Sequence, residues 1–205
     1  IVPCDISAEE LSELAPSAII LSGGPASVYA EDAPSVDPAL FDLGVPVLGF
    51  CYGQQIMAVV LGGKVGHTEK GEYGPAPLTR CDGEGGKSLL FGDTPAEQIV
   101  WMSHRDTVNE VPAGFTVTSR TDVCPVASME GPERGLFATQ FHPEVRHTPH
   151  GNEMLANFLF GICGLEATWN MESIVDDAVA AIRAKVGKER VILGLSGGVD
   201  SSVVA

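Results

Sequence analysis

Short apolar runs alternate with amphipathic segments along the first third of the chain. Residues 17–21 and 45–50 are almost uninterrupted apolar runs, as expected of strands buried on both faces of a parallel sheet. Ser7-Ala8-Glu9-Glu10 is typical of a capped helix start, and further helices are expected over 34–44 and 55–61. This alternation predicts an α/β fold with a mostly parallel, open sheet flanked by helices.

The pattern changes after residue 63, where glycine, proline and threonine become frequent. Helical periodicity disappears between residues 65 and 92, and short strands are expected there. Residues 99–106 predict a strand that leads into a polar loop, in which His104 is interpreted as an ordinary loop residue. Two further strands are predicted at 115–118 and 126–129.

A second change of pattern predicts two domains, 1–165 and 166–205. Apolar residues recur at helical spacing between Met171 and Val186, and a strand at 191–195 follows. The strand runs into Ser196-Gly197-Gly198-Val199-Asp200-Ser201-Ser202. A strand, a glycine loop and a helix start together favour anion binding, because unpaired N–H groups converge there, although a tight turn is the plainer interpretation.

The composition is that of a folded, acidic protein with few basic residues. The 205 residues are 44% hydrophobic and carry a net charge of −15, which argues against nucleic acid and acidic membranes as ligands. The five cysteines are scattered and lack metal-type CxxC spacing. Because no signal peptide or membrane span of about 20 apolar residues is recognisable, a cytoplasmic location with reduced thiols is expected.

The strongest candidate for chemistry is Cys51, in Gly49-Phe50-Cys51-Tyr52-Gly53. Small residues on both sides of a nucleophile permit a sharp strand-to-helix turn that exposes the side chain at the sheet edge. The helix N-terminus that follows would favour a thiolate. The alternative interpretation is a buried structural cysteine, a frequent environment for this residue.

A general base for this thiol is available at Phe141-His142-Pro143-Glu144, which follows the apolar run 136–138. His142 would lie at the carboxyl end of a strand, the edge where open α/β sheets bind their ligands. Residues two apart in an extended chain face the same way, so Glu144 can reach and orient the imidazole. Cys51, His142 and Glu144 are therefore the predicted catalytic residues.

These motifs, together with Ser22-Gly23-Gly24-Pro25, resemble the class I (triad-type) glutamine amidotransferases, which have a flavodoxin-like fold. The resemblance covers residues 1 to about 165 and implies attack of Cys51 on the glutamine amide. It implies an oxyanion hole formed by the N–H groups of Gly24, or its neighbour Gly23, and Tyr52. It also implies glutamine binding by Gln55 and Glu72.

Two departures from the family pattern are visible in the same sequence. The family usually has glycine at the position of Arg105, so the resemblance does not predict the conformation of that loop. The family's first strand and helix have almost no counterpart here, so an N-terminal strand is expected to be missing and the second domain to be truncated.

The stretch from Ser196 to Ser202 resembles the pyrophosphate loop of the N-type ATP pyrophosphatases. That resemblance implies ATP binding by Ser196, Gly197, Gly198, Val199, Asp200, Ser201 and Ser202. ATP would enter as its Mg²⁺ complex, and Mg²⁺ ligation by Asp200 is a hypothesis; no prosthetic group is implied.

An amidotransferase followed by an ATP pyrophosphatase loop predicts a glutamine-dependent carbon–nitrogen ligase. The combination implies glutamine, ATP and the purine nucleotide XMP as substrates, and a homodimer for the full-length protein. The alternatives are an amidotransferase that serves another acceptor, as in anthranilate or CTP synthesis, and an inactive regulatory module on the same fold. The loop at 196–202 disfavours the first, and intact Cys51, His142 and Glu144 disfavour the second.

Overall fold

The computed structural model describes residues 1–81, 87–168, 171–192 and 194, and for residues 68, 69 and 171–174 the backbone alone. The chain forms two compact units, Ile1–Leu165 and Glu166–Ala205. None of the helices in these described ranges has both the length and the apolarity needed to cross a membrane.

A seven-stranded sheet forms the centre of the first unit. In chain order its strands are β1 (Ile19–Leu21), β2 (Val47–Phe50), β3 (Lys64–Arg80), β4 (Glu97–Glu110), β5 (Thr116–Arg120), β6 (Ser128–Gly131) and β7 (Leu136–Thr139). Their order in space is β1-β2-β7-β6-β5-β3-β4, so β7, the last of these seven strands in sequence, lies near the middle of the sheet.

The sheet is mixed, which confirms the α/β class but limits the predicted parallel part to three strands. Pairing is parallel between β1 and β2 and between β2 and β7. The other four described pairs are antiparallel. Antiparallel neighbours need no helical crossover, and no α-helix is described between β3 and β6.

Helices cover both faces of this sheet. They are α1 (Ala8–Glu13), α2 (Tyr52–Val60) and α3 (Gly151–Ala156), the last continuing as a π-helix over Asn157–Ile162; α4 (Met171–Val186) belongs to the second unit. The predicted start of α1 is confirmed, because Ser7 Oγ accepts from Glu10 N at 3.1 Å and Glu10 Oε2 accepts from Ser7 N at 3.0 Å.

Two predicted elements differ in the structure. The helix expected over 34–44 is only a 3₁₀ turn, Pro38–Asp42, because prolines interrupt the segment and Gly44 ends it at φ +72°. The short strands expected over 65–92 are one long strand, β3, which pairs with β4 from Lys64↔Glu110 to Thr79↔Glu97. This pairing also makes a continuous strand of the loop predicted around His104.

Alternate residues of the parallel strands enter two separate cores, one on each face. Val47 packs in a cluster with Leu11 and Met57 of the N-terminal helices. Its neighbour Leu48 packs in a second cluster with Met154 and Phe158. The period-two alternation of a strand explains this division, and it fixes the carboxyl end of β2 between two packed layers.

Candidate functional site

Cys51 lies between β2 and α2 in a strained backbone conformation, φ 49° and ψ −103°. L-residues other than glycine rarely adopt positive φ, and such positions cluster at functional sites. The surroundings hold the conformation in place. Cys51 N donates to Thr139 O at 2.8 Å, and the amides of Gln54 and Gln55 donate to Cys51 O at 3.1 and 3.2 Å.

The glycines on either side of Cys51 are required by close backbone approach. A Cβ added to Gly49 would lie 2.7 Å from the carbonyl carbon and oxygen of Gly53. A Cβ added to Gly53 would lie 2.2 Å from the carbonyl oxygen of Leu21 in β1. The sharp turn predicted from the Gly-x-Cys-x-Gly spacing is therefore present, and it depends on the absence of side chains at both positions.

His142 follows β7 and lies beside the thiol. Its Nδ1 is 2.7 Å from Glu144 Oε1, and the Cys51 thiol is close enough to the ring to shift its pKa. Its backbone N–H donates to Trp101 O at 3.0 Å, which fixes the residue to β4. The three residues predicted from the sequence thus lie together, with the thiol beside the imidazole and the imidazole hydrogen-bonded to the carboxylate.

The glycine loop after β1 passes directly over this pair. A Cβ on Gly23 would lie 3.0 Å from His142 Cε1 and 3.5 Å from Cys51 Cβ. On Gly24 it would be 3.7 Å from the Tyr52 ring. Tyr52 is the first residue of α2, where the N–H has no partner within the helix. The Gly23-Gly24 loop and the start of α2 therefore both lie beside Cys51.

The hydrogen bonds around His142 favour a protonated ring. The bond to Cys51, followed by the bond to Glu144, raises the pKa of His142 to about 10 against the opposing effect of burial. For Glu144, partial burial opposes ionisation, but the hydrogen bond from His142 holds the pKa of the carboxyl below its usual value. His142 is therefore suited to receive a proton from the thiol and to keep it near the carboxylate.

Burial makes two other cysteines poor nucleophiles. Desolvation raises the pKa of Cys124 to about 12 and also raises the pKa of Cys163. Only the thiolate reacts as a nucleophile, so a raised pKa makes both free thiols less reactive than an exposed cysteine at neutral pH. Neither Cys124 nor Cys163 has the strained turn and the histidine partner of Cys51.

A cavity of about 480 Å³ opens next to the sulfur and is called here the Cys51 cavity. Its lining includes Gly24, Ser27, Cys51, Gln55, His104 and Asp106. Ser103 also lines it, and its carbonyl oxygen is 3.6 Å from Cys51 Sγ. The volume is sufficient for a single amino acid, whose side-chain end would lie at the thiol.

The two residues predicted to bind glutamine have different positions. Gln55 lines the cavity from α2, and its Nε2 donates to Asp106 O at 2.8 Å and to Gln140 Oε1 at 3.2 Å. Glu72 is not among the residues that line this cavity. Its carboxylate accepts from Thr121 Oγ1 at 2.9 Å and lies 3.3 Å from His104 Nε2, so it contacts the cavity only through His104.

Several residues near the thiol were not predicted from the sequence. Asp106 is buried, accepts a hydrogen bond from Ser27 Oγ at 2.5 Å and contacts Nδ1 of His67 through its carboxylate. Gln140 Nε2 lies 3.6 Å from Cys51 Sγ. Gln140 could have been found, because it precedes His142 by two positions and faces the same side. The other contacts depend on long-range strand pairing and have no local signal.

The interpretation of His104 as an ordinary loop residue is wrong. His104 lies within β4, is 4% exposed and lines the Cys51 cavity. The polar sequence of residues 103–106 is typical of a loop, but Ser103, His104 and Asp106 all pair with β3. Arg105, where the resembling family usually has glycine, is an exposed strand residue that also lines the cavity.

The predicted ATP-binding residues Ser196, Gly197, Gly198, Val199, Asp200, Ser201 and Ser202 lie outside the described residues. In the second unit the predicted helix is present as α4, with Arg183 and Lys185 in its last turn. ATP and Mg²⁺ binding by this segment therefore stays a prediction from the sequence.

Fold and site together define a mixed α/β protein that carries a cysteine, a histidine and a glutamate at the carboxyl edge of its parallel strands. Comparison with known families identifies it further. The family model described as "Glutamine amidotransferase class-I" matches residues 1–162, and the chain belongs to this family.

Similar proteins extend over nearly the whole chain. A protein of Heliobacterium modesticaldum named "GMP synthase [glutamine-hydrolyzing]" is 52% identical over 203 residues, which are 99% of this chain and 39% of that protein. The protein of the same name from Thermobifida fusca is 53% identical over 205 residues, 100% of this chain and 38% of its own length. The chain thus spans about two fifths of the length of these curated relatives.

Solved structures agree with the fold. A crystal structure of a Thermoplasma acidophilum protein, provisionally named as a GMP synthase subunit, is 32% identical and has a TM-score of 0.67. The match covers 80% of each chain. A glutamine amidotransferase from Thermotoga maritima, at 22% identity and a TM-score of 0.58, shares the fold.

Proposed function

We propose that this chain is the glutamine-hydrolysing part of a GMP synthase. Cys51 Sγ attacks the side-chain amide carbon of glutamine, and its proton passes to His142. His142 then protonates the leaving nitrogen, so ammonia departs and a γ-glutamyl thioester remains on Cys51. Water, deprotonated by His142, attacks the thioester carbon and releases glutamate. Glu144 orients the ring and stabilises its charged form.

The tetrahedral oxyanion formed in both steps requires donors that face the carbonyl oxygen. The backbone N–H groups of Gly24 and Tyr52 are proposed for this role, because Gly24 lines the Cys51 cavity and Tyr52 follows Cys51 at the start of α2. Each such donor is typically worth about 10²–10³ in rate. Since backbone groups supply the donors, side-chain substitution at these positions acts only through the loop geometry.

The cavity supports an amino acid as substrate. A free amino acid carries one ammonium and one carboxylate, and the Cys51 cavity holds the acidic Asp106 and the basic Arg105. Gln55 is proposed to position the substrate, and Glu72 to act behind His104. The observation that carries the proposal is the placement of Cys51 beside His142, which is hydrogen-bonded to Glu144, in a protein that belongs to this family.

The proposal for the acceptor of the ammonia rests on the names of the curated relatives. In the full-length protein, ATP would adenylate XMP, and ammonia would then displace AMP to give GMP, with pyrophosphate released. Residues 196–202 would bind the ATP phosphates as the Mg²⁺ complex, with Asp200 at the metal or shaping the loop. A homodimeric, cytoplasmic ligase of purine biosynthesis, without nucleic-acid or membrane partners, is the corresponding proposal for the whole protein.

The first experiment tests the hydrolytic site in this chain. Glutamate release from glutamine is measured for the parent protein, for Cys51→Ala and for Cys163→Ala as the matched control. Cys51→Ala should lose the activity and the control should keep it. Glutamine hydrolysis that persists in Cys51→Ala would refute the assignment, and covalent labelling by a thiol-reactive glutamine analogue should follow the same pattern.

The acceptor is tested separately in the full-length protein with XMP, Mg-ATP and either glutamine or an ammonium salt. Equal amounts of GMP, AMP and pyrophosphate are expected from both nitrogen sources. Cys51→Ala should lose only the glutamine-dependent reaction. Formation of ADP and phosphate, or no consumption of XMP, would contradict the proposed acceptor while leaving the hydrolytic site untouched.

A further inference from the structure

A second cluster of reactive side chains lies apart from the Cys51, His142 and Glu144 constellation. Glu72 of β3, His104 of β4 and Cys124 between β5 and β6 each direct one ligand-type atom into a group whose members are within 4.8 Å of one another. His104 and Cys124 are buried, and the Glu72 side chain is 12% exposed. Only the folded sheet brings these three distant positions together.

We propose that Glu72, His104 and Cys124 bind a zinc ion. A thiolate, an imidazole and a carboxylate are the three ligand types that Zn²⁺ takes in proteins. The mixture of one sulfur, one nitrogen and one oxygen ligand disfavours Mg²⁺ and Ca²⁺, which prefer oxygen ligands. Neither the proposed glutamine hydrolysis nor the ATP loop uses these residues as metal ligands.

The spacing of two ligands agrees with a shared ion. His104 Nε2 lies 3.3 Å from Glu72 Oε2, which is long for a hydrogen bond between such groups, where about 2.7–2.9 Å is usual. Two ligand atoms about 2.0–2.2 Å from a zinc ion, at a tetrahedral angle, are separated by about 3.3–3.5 Å. The distance between the imidazole and the carboxylate therefore leaves room for the ion between them.

The hydrogen bonds of His104 give a second reason. Its Nδ1 is 3.0 Å from the carbonyl oxygen of Asp106, which can only accept, so Nδ1 carries a proton. Nε2 is therefore the ring nitrogen that can bind an ion, and it faces Glu72. A backbone carbonyl at the other ring nitrogen is the contact that orients zinc-bound histidines.

Further polar groups hold the other two ligands. Thr121 Oγ1 lies 2.9 Å from both carboxylate oxygens of Glu72, and Thr107 Oγ1 lies 3.0 Å from Cys124 Sγ. A cavity of about 290 Å³ is lined by Glu72 and Thr121 and reaches the cluster from the Glu72 side. Zinc entering from there would replace the thiol proton of Cys124, which leaves to solvent, and water would complete the coordination.

The test uses Co²⁺ as a spectroscopic substitute for Zn²⁺. It is done in the Cys51→Ala protein, because Cys51 and His142 could themselves bind a metal ion. One equivalent of Co²⁺ should produce a near-ultraviolet charge-transfer absorption from a thiolate ligand, and Zn²⁺ should abolish it by displacement. Cys124→Ser should lose the band, whereas Cys163→Ser, the matched control, should keep it.

Thr121→Val removes a group that holds Glu72 and should weaken Co²⁺ binding about tenfold. X-ray absorption of the zinc-loaded Cys51→Ala protein supplies a measurement that does not depend on how the variants fold. It should show one sulfur ligand at about 2.3 Å together with nitrogen or oxygen ligands at about 2.0–2.2 Å. The proposal is overturned if saturating Co²⁺ gives no thiolate band, or if the band survives in Cys124→Ser; the cluster is then a proton-sharing network only.

Discussion

The strained turn at Cys51 predicts an unusual response to glycine. Cys51→Ala and Cys51→Gly both remove the sulfur, so neither retains the nucleophile and the two differ only in one methyl group. Alanine must adopt φ 49° and ψ −103°, a conformation that typically costs a residue with a Cβ about 1–3 kcal/mol, whereas glycine adopts it freely.

Two opposing terms set the size of the effect. The buried methyl that alanine keeps and glycine lacks is worth about 0.8 kcal/mol, and the greater freedom of glycine in the unfolded chain costs about 0.4–1 kcal/mol. With a strain near the middle of its range, Cys51→Gly should have an unfolding free energy equal to that of Cys51→Ala or up to about 1 kcal/mol higher. Urea unfolding of the two variants measures this difference directly.

A control with ordinary backbone geometry gives the opposite sign. Ala156 has φ −64° and ψ −42°, so Ala156→Gly, made in the Cys51→Ala protein, should lower the unfolding free energy by about 1 kcal/mol. If the Ala-to-Gly step at position 51 costs as much as it does at position 156, the turn is not strained and the reasoning from its dihedral angles fails.

Two further predictions concern the same site. Gly53→Ala should lower the unfolding free energy by about 3 kcal/mol and suppress glutamine hydrolysis, because the new Cβ would lie 2.2 Å from a carbonyl oxygen of β1; Gly161→Ala, where nothing lies within 4 Å, should do neither. Because the pKa of His142 is raised to about 10 from 6.5, the native state binds more protons between these values, and stability should fall as pH rises from 6.5 toward 10. Glu144→Gln removes one cause of that shift and should make the fall shallower in urea unfolding series, whereas Glu153→Gln should leave it unchanged; equal slopes in all three proteins would contradict the assigned hydrogen bond.

The features that depend on residues close together in the chain could be predicted from the sequence. The turn at Cys51 follows from two glycines within two positions, and the contact between His142 and Glu144 follows from their spacing in extended chain. The capped start of α1 is also local, since Ser7 and Glu10 supply both of its hydrogen bonds. In each case the residues that decide the geometry lie within four positions of one another in the sequence.

The features that sequence reasoning missed depend on pairing between distant segments. The glycine and proline content of β3 predicts several short strands, yet β4 pairs with it over almost its whole length. That pairing brings His67 to Asp106 and Glu72 to His104. Periodicity within one segment contains no information about such partners, so the wall of the Cys51 cavity opposite the thiol could not be predicted.

The position of β7 in the sheet also has a consequence for how the protein is made. β7 is the last of the seven described strands of the sheet, yet it is inserted between β2 and β6. During translation the earlier strands leave the ribosome without the strand that separates them, and Cys51 N lacks Thr139 O as its acceptor. The nascent chain therefore carries the thiol well before His142, and the site proposed for glutamine hydrolysis is complete only when β7 and His142 have emerged and the sheet has closed around them.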